Sequence, residues 1–153
     1  DAVATRNSLM LSFQGIGALI ASGLLATFSA YRHKGLVLTV GQFVFSIALI
    51  GISIATNASL VYLLMALAGL GMVAQMALTN TLIQQKVPDA LRGRTISTYL
   101  WVLQGTTPFG SLLIGFIAQS LGAPFAVFFG GGICLLLFLV IQIKNPLLRK
   151  IDA

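Results

Sequence analysis

Asp89, Arg92 and Arg94 fall within one short stretch, Lys86-Val87-Pro88-Asp89-Ala90-Leu91-Arg92-Gly93-Arg94, set between two long apolar runs. A carboxylate three residues ahead of a guanidinium is within ion-pair reach on a helix, so Asp89 should meet Arg92 or the nearby Arg94. Pro88 lacks a backbone donor and disfavours helix at Val87, so one helix should end there and Asp89 should cap the next. An acid and two arginines at such a junction read as a gate or as a topological anchor.

The other residues with chemistry to offer are neutral. Ser97, Trp101, Gln104, Pro108, Ser111 and Gly115 follow steps of three and four, which places them on one helix face. Pro108 should interrupt the backbone ladder and kink this helix, the freed carbonyls being met by the hydroxyls of Thr106 and Thr107 or by water. The stripe reads either as a helix-packing face or as the wall of a cavity. Upstream, Gln75 and Thr79 share one face of a second run, and Asn80 and Gln84 share another. One of these faces should line water or substrate while the other bonds a neighbouring helix, or both serve as interhelical glue. Gln14 is the ligand-contact candidate of the first run, beside an expected close-packing seam at Ala18, Ser22 and Ala26.

Catalysis finds no support. The one histidine, His33, sits in a basic loop, and the one cysteine, Cys134, lies in an apolar run as a small core side chain. No glycine-rich phosphate loop, metal-ligand spacing or acid–base pair at membrane depth is present, so neither cofactor nor metal is called for. The chain is read as non-enzymatic.

The elements that must position these groups follow from composition. Of 153 residues, 58% are hydrophobic and only 8% charged, against about 25% charged in soluble domains. The net charge of +6 does not indicate nucleic-acid binding, because the basic residues come in small groups between apolar runs rather than on one water-facing surface. Five such runs, roughly 8–30, 36–56, 60–84, 96–118 and 123–143, each supply the ~20 residues a helix needs to span a bilayer. Lipid leaves backbone groups no outside partner, so the runs should be helices, and they show no period-two alternation that would suit barrel strands. The expectation is an all-α membrane domain over 1–153. No Asp, Glu, Lys, Arg or His lies in the central part of any run, so this stretch should not itself carry a coupling proton.

Short connections make neighbouring spans antiparallel. Arg32, Lys34, Lys86, Arg92, Arg94, Lys144, Arg149 and Lys150, eight of the nine basic residues, then gather on one side, and only Arg6 on the other. That side should be cytoplasmic, with loops 31–35 and 85–95 and the tail 144–153. Asp1 would then start outside with no signal pattern, so at least one further span is expected upstream. The second and fifth runs are the greasiest and read as lipid-facing outer helices.

Asn80-Thr81-Leu82-Ile83-Gln84-Gln85-Lys86-Val87-Pro88-Asp89-Ala90-Leu91-Arg92-Gly93-Arg94, followed by Ser97 and the Gly105–Gly115 stretch, resembles the C-terminal half of a major facilitator superfamily transporter. Within it the chain is similar to the bacterial enterobactin-exporter and macrolide-efflux branch, and the Val-Pro-Asp-x-x-Arg-Gly-Arg run carries most of that specificity. The resemblance implies that the five spans are the eighth to twelfth of twelve, that alternating access runs between two six-helix halves, and that the N-terminal half is a partner lying outside this chain. It implies that the eighth, tenth and eleventh spans face the cavity and that Asp89, Arg92 and Arg94 belong to a cytoplasmic gating motif. The loop 29–35 lacks the acid of the family's Gly-x-x-Asp-Arg-x-Gly-Arg, so only topological anchoring is carried over to it.

The expected function is secondary active, proton-coupled efflux of small amphipathic organic compounds such as drugs or siderophores. Its setting would be the bacterial cytoplasmic membrane, multi-pass, with the C-terminus inside. Gln14, Gln75, Thr79, Trp101 and Gln104 are the candidate substrate contacts, with Met72 and Met76 as adaptable apolar neighbours. The alternative is a non-transporting membrane scaffold or assembly subunit that uses the same helices only for packing.

Overall fold

The computed structural model describes residues 2–27 and 34–144. The basic loop around Arg32 and His33 and the tail with Arg149 and Lys150 lie outside the described residues. Five helices run in order: α1 Ala2–Thr27, α2 Lys34–Ile54, α3 Ala58–Lys86, α4 Asp89–Leu121 and α5 Ala123–Lys144. All five are long and apolar enough to cross a membrane. At 1.5 Å per residue the 33 residues of α4 extend ~50 Å, well beyond a ~30 Å hydrocarbon core. Its charged first turns therefore continue the helix past the apolar zone.

The described connections are minimal, and each has a local cause. Asn57 caps α3, its side-chain oxygen accepting from the Ser59 N–H at 3.0 Å. Between α3 and α4 only Val87 and Pro88 leave the helix. The stretch 85–95, expected as a loop, is thus almost wholly helical, because a single proline suffices to end one helix and its fixed φ suits the entry to the next. Pro88 occupies the capping position and Asp89 is the first helical residue, so Asp89 does not cap as expected. Between α4 and α5 a single residue turns the chain. Gly122 has φ +92°, a left-handed conformation in which a side chain would be strained.

The packing order differs from the chain order. α3 lies between α1 and α2, α2 lies between α3 and α5, and α4 rests on α5 with only slight contact to α3. Small residues make the close approaches, as lipid-embedded helices require. Gly69 and Gly71, two positions apart, point to nearly opposite sides of α3. A Cβ at Gly69 would run into the Gln14 carbonyl of α1, and one at Gly71 would meet the Gly41 carbonyl of α2 at 2.6 Å. On α1 the contact runs through Gly17, whose Cβ would strike the Ala66 carbonyl, and through buried Ala21. Phe13 stacks on Tyr62 at 5.1 Å beside it. The seam is therefore one residue earlier than the expected Ala18, Ser22 and Ala26. Ser22 instead returns its hydroxyl to the Ala18 carbonyl at 2.7 Å and stays exposed.

α2 corrects the expectation of an outer helix. Its Thr39, Phe43 and Ile50 meet Gln142, Phe138 and Gly131 of α5, each step forward on one helix matching an equal step back on the other. Ser46, between them, is completely buried. One stripe of α2 does stay uncovered: Leu36, Val40, Phe43, Ile47 and Ile54 recur at helical spacing and are exposed. The helix is greasy outward and closely enclosed on two other sides.

Candidate functional site

α4 stands apart from the other four helices because none of its residues is buried. Its approach to α5 includes Ile114, which would meet a Cβ placed at Gly130 at 3.7 Å. About a quarter-turn round the helix from Ile114 lies the neutral stripe, Ser97, Trp101, Gln104, Pro108, Ser111 and Gly115. Further round, Phe109, Leu112 and Phe116 form an exposed apolar face. The Trp101 indole is 82% exposed. A shallow hollow of about 370 Å³ is lined by Ser97, Leu100, Trp101, Gln104 and Gly105.

Pro108 lies inside α4, and the helix continues through it. The expected relief by threonine hydroxyls does not occur. Thr106 donates to the Val102 carbonyl at 2.8 Å and Thr107 to the Leu103 carbonyl at 2.8 Å. Neither hydroxyl serves the carbonyl of Gln104, the group that loses its normal partner at Pro108.

The five candidate contacts fall into two groups. Gln14, Gln75 and Thr79 are half-buried on α1 and α3, and the Gln14 backbone is part of the α1–α3 contact. Trp101 and Gln104 are exposed on α4, which does not touch α1 and barely touches α3. No hydrogen bond joins the five side chains to one another among the described residues. Met72 and Met76, also exposed, sit on α3 beside Gln75 and Thr79. On its other polar face α3 closes on itself, the Gln84 amide donating to the Asn80 side-chain oxygen at 3.3 Å.

At the charged junction Asp89 pairs with Arg92 at 2.5 Å, with the carboxylate side chain 88% exposed. The structure thus selects Arg92 over Arg94 as the partner. Arg94 instead lines a second hollow of about 400 Å³ with Thr95, Thr98 and Tyr99. Among the described residues no cluster of His, Cys, Asp and Glu is placed to hold a metal ion.

One polar contact between helices was not read from the sequence. The Gln142 amide donates to the Thr39 hydroxyl at 3.1 Å, and that hydroxyl donates to the Gly35 carbonyl at 2.8 Å. The available signal was depth: Thr39 lies just inside Lys34 and Gln142 just inside Lys144, two lysines that the charge pattern puts on the same side.

Five apolar spanning helices, closely packed through glycine and with uncharged polar stripes, define a multi-pass α-helical membrane protein. The family model described as transmembrane secretion effector, within the major facilitator superfamily, matches residues 1–153, and the chain belongs to that family of transporters. Neither a curated protein nor a solved structure matches the chain.

Proposed function

We propose that the chain is part of a secondary active exporter that moves small amphipathic organic compounds, such as drugs or siderophores, out of a bacterial cell. The setting is the cytoplasmic membrane, with the C-terminus inside and the five helices forming spans eight to twelve of twelve. The polar stripe of α4 carries the reading. Trp101 and Gln104 are exposed on a helix whose packing partner, α5, lies to one side, and neutral polar groups are disfavoured against hydrocarbon. In this reading the stripe faces a central cavity completed by an N-terminal half, with Gln14, Gln75 and Thr79 on the opposite wall and the two methionines as adaptable apolar surface. Proton coupling would then use a carboxylate outside this chain, since no ionisable residue lies at the centre of its spans. Asp89, Arg92 and Arg94 would gate the cytoplasmic end.

The test is export by cells making the full-length protein, with and without a protonophore, for wild type, Gln104→Leu and Trp101→Ala. Loss of about 1.4 kcal/mol of substrate interaction lowers export at limiting substrate about tenfold. Unchanged export in both variants at normal protein level overturns the site. No export of any amphipathic compound by the wild type favours the scaffold role instead.

A further inference from the structure

Pro108 removes one particular donor from α4. It has no N–H, and the carbonyl that would have accepted it belongs to Gln104, four residues back. The hydroxyls on this part of the helix are directed elsewhere. Thr106 serves Val102 and Leu103, Thr107 serves Leu103, and Ser111 serves the Pro108 carbonyl. The Gln104 carbonyl therefore gains no side-chain donor among the described residues.

Its surroundings are open. Gln104, Gly105 and Pro108 are all exposed. A carbonyl in a helix points toward the C-terminus, so this one borders the end of the hollow that Gln104 and Gly105 form, the hollow being lined also by Ser97, Leu100 and Trp101. Trp101 lies one turn earlier on the same face and presents its indole to the same space. A main-chain carbonyl only accepts, and its direction is fixed by the helix. The Gln104 side-chain amide, in contrast, can donate or accept and can rotate.

We infer that the Gln104 main-chain carbonyl, released by Pro108, is a hydrogen-bond acceptor for the transported compound. The favoured ligand class is a flat apolar ring system that lies against Trp101 and carries an N–H or O–H donor at its edge. The inference rests on the exporter reading and adds to it a chemical selectivity: donor-bearing compounds are held more tightly than their fully alkylated counterparts.

Two xanthene dyes of similar size and charge test this. Rhodamine 6G carries N–H donors, and tetramethylrhodamine methyl ester carries none. Affinity is measured by dye anisotropy on the full-length protein in detergent. Quenching of Trp101, identified by comparison with Trp101→Phe, locates the bound dye. One net hydrogen bond corresponds to about a fivefold preference for rhodamine 6G. Pro108→Ala restores the N–H and should erase that preference, weakening rhodamine 6G while leaving the ester unchanged, which also shows that the variant is folded. Gln104→Leu keeps the carbonyl and should weaken both dyes alike with the preference intact. Equal affinities in the wild type, or equal weakening of both dyes by Pro108→Ala, overturns the carbonyl's role and leaves the exporter reading standing. Failure of the wild type to bind either dye overturns the proposed ligand class, whereas the exporter reading falls only if no amphipathic compound is exported.

Discussion

The Gln142 side chain donates to the Thr39 hydroxyl across 3.1 Å, tying the last turns of α5 to the first turns of α2. Thr39 is buried and uses its own proton on the Gly35 carbonyl, so the hydroxyl both accepts and donates. Such interhelical bonds in membranes contribute about 0.6 kcal/mol on average and at most about 1.7. Thr39→Val and Gln142→Leu in a double-mutant cycle should therefore show coupling of about 0.5–1.5 kcal/mol in SDS-titrated unfolding. Zero coupling would mean that apolar packing alone, led by Phe43 on Phe138, sets this interface.

The glycines of α1 and α3 divide into two groups. Gly17→Ala and Gly69→Ala each drive a methyl group into a facing backbone carbonyl, whereas Gly15 and Gly23 have nothing within 4 Å of a new Cβ. Backbone cannot swing aside as a side chain can, so the first pair should destabilise by at least the 1–3 kcal/mol (approximately) typical of overpacking. Gly15→Ala and Gly23→Ala should be neutral or gain up to about 1 kcal/mol in helix propensity. The yield of folded protein in detergent, followed by thermal unfolding, separates the two outcomes.

Ser46 provides a test of how tightly α2 is enclosed. It is fully buried, and its hydroxyl donates to the Gln42 carbonyl of its own helix at 2.9 Å. Ser46→Ala removes only a local bond and should cost less than about 1 kcal/mol, because that carbonyl keeps its ladder partner. Ser46→Leu has no free volume to enter and should cost about 1–3 kcal/mol. Equal stability of the two variants would contradict the close α2–α5 packing.

Asp89 and Arg92 are joined at an aqueous boundary, where an exposed pair contributes about 0–1 kcal/mol and is screened by salt. Asp89→Asn should accordingly leave protein level and unfolding midpoint within experimental scatter while lowering the transport rate. A variant that fails to insert would assign the carboxylate a structural role in place of gating.

Which parts of this architecture were legible in the sequence depended on how far each signal reaches along the chain. The break at Pro88 follows from one missing N–H, and the turn at Gly122 requires a left-handed φ, so both junctions have causes confined to one residue. The polar stripe of α4 follows from helical period alone. The error at 85–95 came from equating charge with loop. A charged segment can remain helical once the helix is longer than the hydrocarbon is thick.

The amino-acid order by itself determined that the chain forms five membrane-spanning helices and which neutral polar groups share a face. It bounded α2, α3 and α5 to within two residues, while α1 and α4 begin six and seven residues ahead of their apolar runs. Hydropathy, length and local backbone chemistry act within one helix and need no partner. Only the tertiary structure decided that α2 is held between α3 and α5, that Gly17 and Ala21 rather than Ala18 and Ser22 make the α1 contact, and that Thr39 finds Gln142. In lipid every apolar surface is equally content, so the choice of neighbour falls to close backbone approach. That depends on which small residue faces which carbonyl across a gap no local pattern encodes.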